Sequence, residues 1–311
     1  LLLPSPSWVS YEPQAQLNNH KVVWISTKEN NNWKIKPQDI INHCKKKPDK
    51  KRTIILNYPS NPIGITYTNN ELKKLAAVFK QYNIIVIADE IYGEVQFDGN
   101  HQTIANYYPE GTIISTGISK WAGAGGWRLG VFVFPKNLRY VLDAMAIVAS
   151  ETYTSTSAPI QYAAVEAYKE NEATELYLKN SRKILKAVGL YVFKNLKSIG
   201  VTMPEPEGGF YLFPHFNKWK SSLNKKGILT SKDFCNAILK ETGVALLPGE
   251  AFGHPKENFT ARLSFVDFDG KALLQILEKY PDIDVDDKFV EQHCPRIVLA
   301  VKKIESWILS I

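Results

Sequence analysis

Cysteine and histidine are both scarce in this sequence. Its 311 residues include three cysteines and six histidines. Cys44, Cys235 and Cys294 are far apart, odd in number and without a CxxC pair, which argues against a secreted disulfide framework and against a cysteine zinc site. The histidines form no HxxxH or HExxH pair. We therefore predict no protein-built metal site, and a reducing compartment, the cytoplasm, as the location.

Long apolar runs are also missing. No stretch approaches the roughly 18 apolar residues that span a membrane. The formal net charge is +7, from 38 basic and 31 acidic residues, but the basic residues are mostly lysines spread along the chain. Because nucleic-acid-binding faces usually cluster basic residues or interleave arginine with aromatics, the sequence predicts neither a nucleic acid nor a membrane as partner.

The first residues carry no methionine. The sequence opens on three leucines, a pattern typical of the end of a buried strand rather than of the start of a protein. We therefore expect an N-terminal part to precede Leu1 in the full protein, and any targeting segment would lie in that part.

Short apolar, β-branched runs alternate with stretches of helical period from Lys21 to about Ala149. The helical stretches cover Gln38–Lys47, Asn70–Gln81 and Leu138–Ala149. Strands without polar alternation are buried on both faces, and their alternation with helices predicts a mostly parallel sheet flanked by helices. Such an α/β sheet binds its ligands at the carboxyl ends of its strands.

The second part of the chain is more mixed. One long helical pattern runs from Ser157 to about Leu196, and it is followed by short strand-like runs, a helix and two terminal helices. We interpret this part as a smaller α+β C-terminal domain. The sequence therefore predicts a large domain over residues 1–180 and a small domain over residues 181–311.

Polar residues of a particular kind follow the strand-like runs. The turn Asn61-Pro62-Ile63-Gly64 follows one run, Asp89 and Tyr92 follow the next, and Lys120 follows a third. Each is weak evidence alone: Asn-Pro-x-Gly is a turn signal, and an Asp after a strand can be a helix N-cap or a metal-binding acid of a nucleotidase. The nucleotidase reading needs GxxxxGK[ST], which is missing, and the segment GAGGWRLG fits neither that motif nor GxGxxG.

Taken together and in this order, the motifs resemble one family. Asn61-Pro62-x-Gly64, Asp89-x-x-Tyr92, the stretch from Ser119-Lys120 to Arg128-x-Gly130, and a late Arg262 are similar to the class I/II aminotransferases, fold-type I pyridoxal-phosphate enzymes. The resemblance covers nearly the whole chain. Asp89 follows Asn61 by 28 residues and Lys120 follows Asp89 by 31, and each spacing fits one strand–helix unit.

The resemblance implies catalytic roles for Lys120, Asp89 and Tyr92 and a cofactor-binding role for Asn61. Lys120 would form a Schiff base with pyridoxal 5′-phosphate and then move the proton at the substrate Cα. Asp89, as a carboxylate, would keep the cofactor's ring nitrogen protonated. Asn61 and Tyr92 would donate hydrogen bonds to the cofactor's phenolate oxygen. The resemblance also suggests a cis peptide bond before Pro62.

The resemblance implies binding roles for five further residues. Arg128 would pair with the cofactor phosphate, with Ser119 as a further phosphate contact. Trp8 would stack on the cofactor ring. Arg262 would clamp the α-carboxylate of the substrate in a pocket completed by Asn61 and Phe210. The substrates would be an amino acid and a 2-oxo acid, and the protein would be a homodimer with its sites at the interface.

The sequence departs from the family pattern in three places. Gly117 stands where many members have a phosphate-binding serine, three residues before the lysine. The glycine-rich phosphate turn, and the tyrosine that a neighbouring subunit lends to the phosphate, are not found before Trp8. No second arginine precedes the long helix, where Glu151 is the charged residue, which favours an uncharged or aromatic amino donor over a dicarboxylate.

Two other functions use similar residues. A C–S β-lyase or an aminocyclopropane-carboxylate-synthase-like eliminase would keep Lys120, Asp89, Tyr92 and Arg262, because all these reactions need an aldimine and a carbanion, or its equivalent, at the substrate Cα. A ligand-sensing or decayed aminotransferase-like domain would not need the full set. Since the set is intact, we predict an enzyme rather than a decayed domain. We predict an aminotransferase, with the lyase or eliminase as the alternative that the residues leave open.

Overall fold

Parallel strands and flanking helices build the first part of the chain, which confirms the predicted α/β class. The computed structural model describes residues 1–311. Its larger sheet has the strand order β2-β1-β3-β4-β5-β6, and only β6 runs antiparallel to its neighbour. The strands are β1 (Leu2–Ser5), β2 (Val23–Ser26), β3 (Arg52–Asn57), β4 (Ile84–Asp89), β5 (Thr112–Gly117) and β6 (Gly130–Val133).

The central strands are covered on both faces. Neither β3 nor β4 has an exposed residue. Strand β1 includes Leu2 and Leu3 of the opening leucine run and is buried throughout, as that run predicts. The helices of this part are α1 (Tyr11–Leu17), α2 (Pro37–Lys45), α3 (Asn69–Gln81), α4 (Arg139–Thr152) and α5 (Ala158–Ala167). Thr68 and Glu71 form a capping box at the start of α3, and Leu72, Leu75 and Phe79 on one side of it join the core under the sheet.

The predicted long helix is two helices. The structure has α5 and then α6 (Glu172–Ser198), with a break at residues 168–171. Asn171 caps α6, because its side-chain oxygen accepts a hydrogen bond of 2.8 Å from the backbone N–H of Thr174. This cap starts a new helix although the helical spacing of apolar residues continues across the break.

A small antiparallel sheet in the order β7-β9-β8 lies in the second part of the chain. Its strands are β7 (Tyr211–Leu212), β8 (Leu247–Pro248) and β9 (Ala261–Ser264), and the helices around it are α7 (Lys220–Lys225), α8 (Ser231–Thr242), α9 (Gly270–Lys279), α10 (Asp287–His293) and α11 (Pro295–Leu309). Three helices follow β9 where two were predicted, because Pro295 starts a new helix directly after α10.

Two separate apolar cores correspond to the two parts. One core lies between the large sheet and its helices, and the other lies around α6, α8 and α11. The predicted domain boundary at residue 180 falls inside helix α6. The division into two domains stays a prediction. None of the helices is both long and apolar enough to cross a membrane.

Candidate active site

A cavity of about 370 Å³ opens where the carboxyl ends of the parallel strands meet β9. Ligand cavities in proteins are typically of this size. Eight of the nine residues singled out in the sequence line it; the ninth, Phe210, lies directly behind the wall. The lining residues are Trp8, Tyr11, Asn57, Asn61, Asp89, Ile91, Tyr92, Ser115, Ser119, Lys120, Gly125, Arg128, Tyr211 and Arg262.

Asp89 is the acidic group of the cavity. It is the last residue of β4, and its side chain is enclosed by protein on all sides except the one that faces the cavity. The Tyr11 hydroxyl donates a hydrogen bond to Oδ2, and the backbone N–H of Ile91 donates one of 3.3 Å to Oδ1. Burial raises the pKa of Asp89 although these hydrogen bonds and Lys120 oppose it. No lysine or arginine forms an ion pair with it.

The turn after β3 lies against Asp89. The Asn57 side chain donates 2.9 Å to the carbonyl oxygen of Asp89 and accepts 2.7 Å from the backbone N–H of Asn61. The Asn61–Pro62 peptide bond is cis, as the resemblance suggests. Gly64 has φ +80°, and a Cβ there would overlap the carbonyl oxygen of Tyr211. The glycine of the Asn-Pro-x-Gly turn is therefore required for close packing against β7.

Lys120 follows β5 and presents its amine to the cavity. Its Nζ lies 5.7 Å from the centre of the Tyr92 ring and 6.0 Å from that of Phe210. Burial, and then the neighbouring Arg262, lower the pKa of the Lys120 ammonium group. A lowered pKa increases the fraction of neutral amine, which is the nucleophilic form.

Arg262 enters the cavity from β9. Its Nη1 donates 3.1 Å to the side-chain oxygen of Asn61, and its guanidinium carbon lies 4.5 Å from the centre of the Tyr211 ring. It forms no ion pair with an acidic residue, and its Nε is buried without a partner. No carboxylate of the protein neutralises the Arg262 guanidinium, so its positive charge is available to an anion in the cavity.

Arg128 and Trp8 lie on two other walls. Arg128 is exposed, has φ +58°, and donates 2.8 Å to the carbonyl oxygen of Gly125. Trp8 is half-buried and packs edge-on against Tyr11, with 5.2 Å between ring centres. Ser119 faces the cavity beside Lys120.

Gly117, the departure from the family pattern, has a steric reason in this chain. A Cβ at this position would lie 2.8 Å from the carbonyl oxygen of Leu129 and 3.2 Å from the Cα of Gly130. No serine fits here without a shift of β6. Ser115 and Ser119, which do line the cavity, are the hydroxyls available near this end of β5.

Three lining side chains that contact the predicted site residues were not predicted from the sequence. Tyr11 lies three residues after Trp8 and reaches Asp89 by a tertiary contact, so no local signal marks it. Asn57 is the last residue of β3 and therefore sits at the same sheet edge as Asp89, its register partner. Tyr211 follows Phe210, and no local signal distinguishes the two aromatics, because β7 alone decides which ring faces Arg262.

The cavity combines an amine of lowered pKa, an enclosed carboxylate and two guanidinium groups. It can hold a ligand with a positively charged nitrogen at Asp89 and anionic groups at Arg128 and Arg262, with the Lys120 amine between them. This arrangement suits proton movement and nucleophilic attack on a bound carbonyl carbon.

Comparisons with known proteins identify the family. A family model described as aminotransferase class I and II matches residues 1–277. The chain is 32% identical over 297 residues to an aspartate aminotransferase of Bacillus subtilis, covering 94% of this chain and 70% of that protein. It is 35% identical over 266 residues to a probable N-acetyl-LL-diaminopimelate aminotransferase of the same organism, covering 85% of this chain and 63% of that protein.

The fold matches as well. An aromatic aminotransferase of Pyrococcus horikoshii superposes with a TM-score of 0.80 at 28% identity, covering 99% of this chain and 73% of that one. The match extends over both sheets and is accompanied by the family match over most of the sequence. The chain therefore belongs to the class I and II aminotransferase family and is a transaminase.

Proposed function

We propose that this chain binds pyridoxal 5′-phosphate through Lys120 and uses it to move an amino group between an L-amino acid and a 2-oxo acid. The observation that carries the proposal is the meeting of Lys120, Asp89 and Arg262 in one cavity. Their chemistry matches the three parts of the reaction: an amine, a partner for the cofactor ring, and an anchor for the substrate carboxylate.

The residues present fit this cofactor. Asp89 is an enclosed carboxylate of raised pKa with no protein cation to pair with, so a positively charged ring nitrogen would supply the missing partner. Arg262 is a second sign of a site for an anion, because it lines the cavity and its only side-chain hydrogen bond goes to the neutral amide of Asn61. Bound pyridoxal phosphate supplies an electron sink for cleavage of the substrate Cα–H bond.

The residues of the chain divide the remaining work. The Lys120 amine would take the proton from the substrate Cα and deliver it to the C4′ carbon of the cofactor. Tyr92 and Asn61 would donate hydrogen bonds to the cofactor ring, and Trp8 would pack beside it. Tyr11 and the backbone N–H of Ile91 each hold one oxygen of Asp89, which fixes the orientation of its carboxyl group.

Two guanidinium groups would hold the phosphate of the cofactor and the carboxylate of the substrate. We assign Arg128, with Ser119, to the phosphate and Arg262 to the α-carboxylate that every amino acid and every 2-oxo acid shares. Phe210 packs edge-on against Tyr92, with 5.4 Å between ring centres, and supports the pocket wall from behind. A reaction in a reducing compartment, the cytoplasm, is supported by the three free and buried cysteines.

A homodimer is supported by an exposed apolar face. Strand β6 at the sheet edge exposes Phe132 and Val133, and helix α4 buries none of its residues. Ile147 and Val148 on α4 are 66% and 61% exposed, and Tyr162 on α5 is 78% exposed. Monomeric proteins rarely expose an apolar patch of this extent. We propose that a second copy of the chain covers this face.

The double substitution Ile147→Glu and Val148→Glu is expected to prevent dimer formation, because it places two charges in the covered face. Sedimentation velocity at micromolar concentration measures the change. Leu239→Glu is the control, since Leu239 is also exposed, at 49%, but lies on α8. A monomeric wild type, or a dimeric double variant, would contradict the proposed interface.

The absorption spectrum of the protein loaded with pyridoxal phosphate tests the reaction. Adding an amino acid is expected to convert the visible band of the lysine-bound cofactor to that of pyridoxamine phosphate, and adding 2-oxoglutarate or pyruvate should reverse the change. Phenylalanine, alanine and aspartate belong in the panel, because the sequence predicts a preference for uncharged donors. A visible band that persists while ammonia and an oxo acid accumulate would instead indicate a lyase.

A further inference from the structure

We propose that Tyr211 is a positioning residue that holds the Arg262 guanidinium in its carboxylate-binding position and links it to Tyr92. The inference rests on the proposed function, in which Arg262 binds the α-carboxylate of the substrate. The Tyr211 side chain has two separable tasks. Its ring acts on substrate binding through Arg262, and its hydroxyl acts on Tyr92, which lies beside Lys120.

The strand register brings the two side chains together. Tyr211 on β7 pairs with Ser264 on β9, and Arg262 lies two residues before Ser264 on the same face of that strand. Diagonal neighbours of this kind are within reach of aromatic and long side chains. The guanidinium carbon of Arg262 lies 4.5 Å from the centre of the Tyr211 ring and 5.3 Å from that of Phe252.

The kind of group that holds Arg262 decides whether its charge can bind an anion. Arg262 has no carboxylate partner in the protein; its only side-chain hydrogen bond goes to the neutral amide of Asn61. An acidic partner would fix the guanidinium but would compete with the substrate carboxylate. An aromatic ring attracts the cation through its quadrupole without neutralising the charge. The Tyr211 ring therefore orients Arg262 and leaves its charge available for the substrate.

The Tyr211 hydroxyl faces the other part of the site. Tyr92 donates a hydrogen bond of 3.4 Å to it, and both side chains are buried. Burial, and then the neighbouring Tyr211, raise the pKa of Tyr92, which keeps the Tyr92 hydroxyl protonated. When Tyr92 turns its proton toward a bound ligand, the Tyr211 hydroxyl can donate to the Tyr92 oxygen instead.

The backbone of Tyr211 is fixed as tightly as its side chain. Its carbonyl oxygen packs against Gly64, where a Cβ would not fit. The backbone N–H groups of Glu207 and Gly208 donate 2.7 Å and 3.0 Å to the carbonyl oxygen of Gly64. The segment that carries Tyr211 is thus locked to the turn that carries Asn61, which gives the ring a fixed place under Arg262.

Two substitutions separate the tasks. Tyr211→Leu removes the ring and is expected to raise the KM for the amino acid and for the 2-oxo acid about tenfold to thirtyfold, because both use the Arg262 contact. Tyr211→Phe keeps the ring and is expected to leave both KM values within about twofold. It should lower kcat roughly twofold to tenfold through the lost hydrogen bond to Tyr92.

A binding measurement provides a readout that does not depend on turnover. 3-Phenylpropionate has a carboxylate but no amino group, and calorimetric titration of the loaded protein gives its dissociation constant. We expect weakening of about tenfold or more in Tyr211→Leu and about twofold or less in Tyr211→Phe. Where Tyr211→Leu does not fold, Tyr211→Met removes the ring while filling more of its volume.

Arg262→Ala distinguishes failure of this inference from failure of the proposed function. If 3-phenylpropionate binds equally well to Arg262→Ala and to the wild type, Arg262 is not the carboxylate anchor and the proposed function loses that part. If Arg262→Ala weakens binding but Tyr211→Leu does not, the anchor stands and the role of Tyr211 is wrong. A raised KM in Tyr211→Phe would also overturn the assignment, because the ring is unchanged there.

Discussion

Replacing Lys120 with alanine is expected to lower kcat for transamination by at least about a thousandfold. The substitution removes two contributions at once: the amine that holds the cofactor and the group that moves the proton at the substrate Cα. General acid–base catalysis alone contributes about a hundredfold to ten-thousandfold. The visible band of the lysine-bound cofactor should disappear from the absorption spectrum in the same variant.

A second lysine provides the matched control. Lys74 lies exposed on α3, away from the cavity, and Lys74→Ala should retain both the band and the wild-type kcat. A Lys120→Ala protein that is folded and still turns over within tenfold of the wild type would remove Lys120 from the chemistry.

Asp89→Asn is expected to lower kcat by about a hundredfold or more. The amide has the shape of the carboxylate and can still accept a hydrogen bond from Tyr11, but it no longer supplies a negative charge to the cofactor ring. Losing one preorganised electrostatic group in an active site typically costs about a hundredfold to a thousandfold. Because Lys120 is unchanged, the variant should still bind pyridoxal phosphate covalently, which separates this defect from that of Lys120→Ala.

The same substitution should stabilise the protein without cofactor. Burial raises the pKa of Asp89 above its ordinary value of 3.8, so folding favours the protonated form. The stabilisation from that proton is fully present below pH 3.8 and is lost as the pH rises through the raised pKa. At neutral pH, the cofactor-free Asp89→Asn protein should therefore melt at a higher temperature than the wild type, and this difference should shrink toward pH 4.

The control for both measurements is Asp282→Asn, an exposed acid between α9 and α10. It should change neither kcat nor the melting temperature. A cofactor-free Asp89→Asn protein that is less stable than the wild type at neutral pH would contradict the account of Asp89 as a carboxylate without a cationic partner.

The sequence was most informative where strands are buried on both faces. The runs that became β3, β4 and β5 carry no polar alternation. Their parallel pairing places Asp89 between Asn57 and Ser115. The ends of these strands could therefore be identified as one sheet edge from the pattern alone. The role of each residue there came from the family resemblance and stays a prediction.

Features that depend on tertiary contacts were beyond sequence reasoning. Tyr11 reaches Asp89 across 78 residues of sequence, and Arg262 reaches Asn61 across 201. Neither contact leaves a local periodicity. The exclusion of a side chain at Gly117 likewise depends on the carbonyl oxygen of Leu129 on the way into β6. The pattern of apolar residues also could not show that α5 ends at Ala167 and that α6 begins after Asn171.

The measurement that tests the central claim most directly is the location of the cofactor on the chain. The protein is incubated with pyridoxal phosphate, reduced with borohydride, digested, and searched for a pyridoxyl-modified lysine by mass spectrometry. Because the chain has 32 lysines among its 38 basic residues, modification of a single lysine would identify the cofactor site. The account predicts modification concentrated on Lys120; modification spread over surface lysines, or concentrated on a different one, would contradict it.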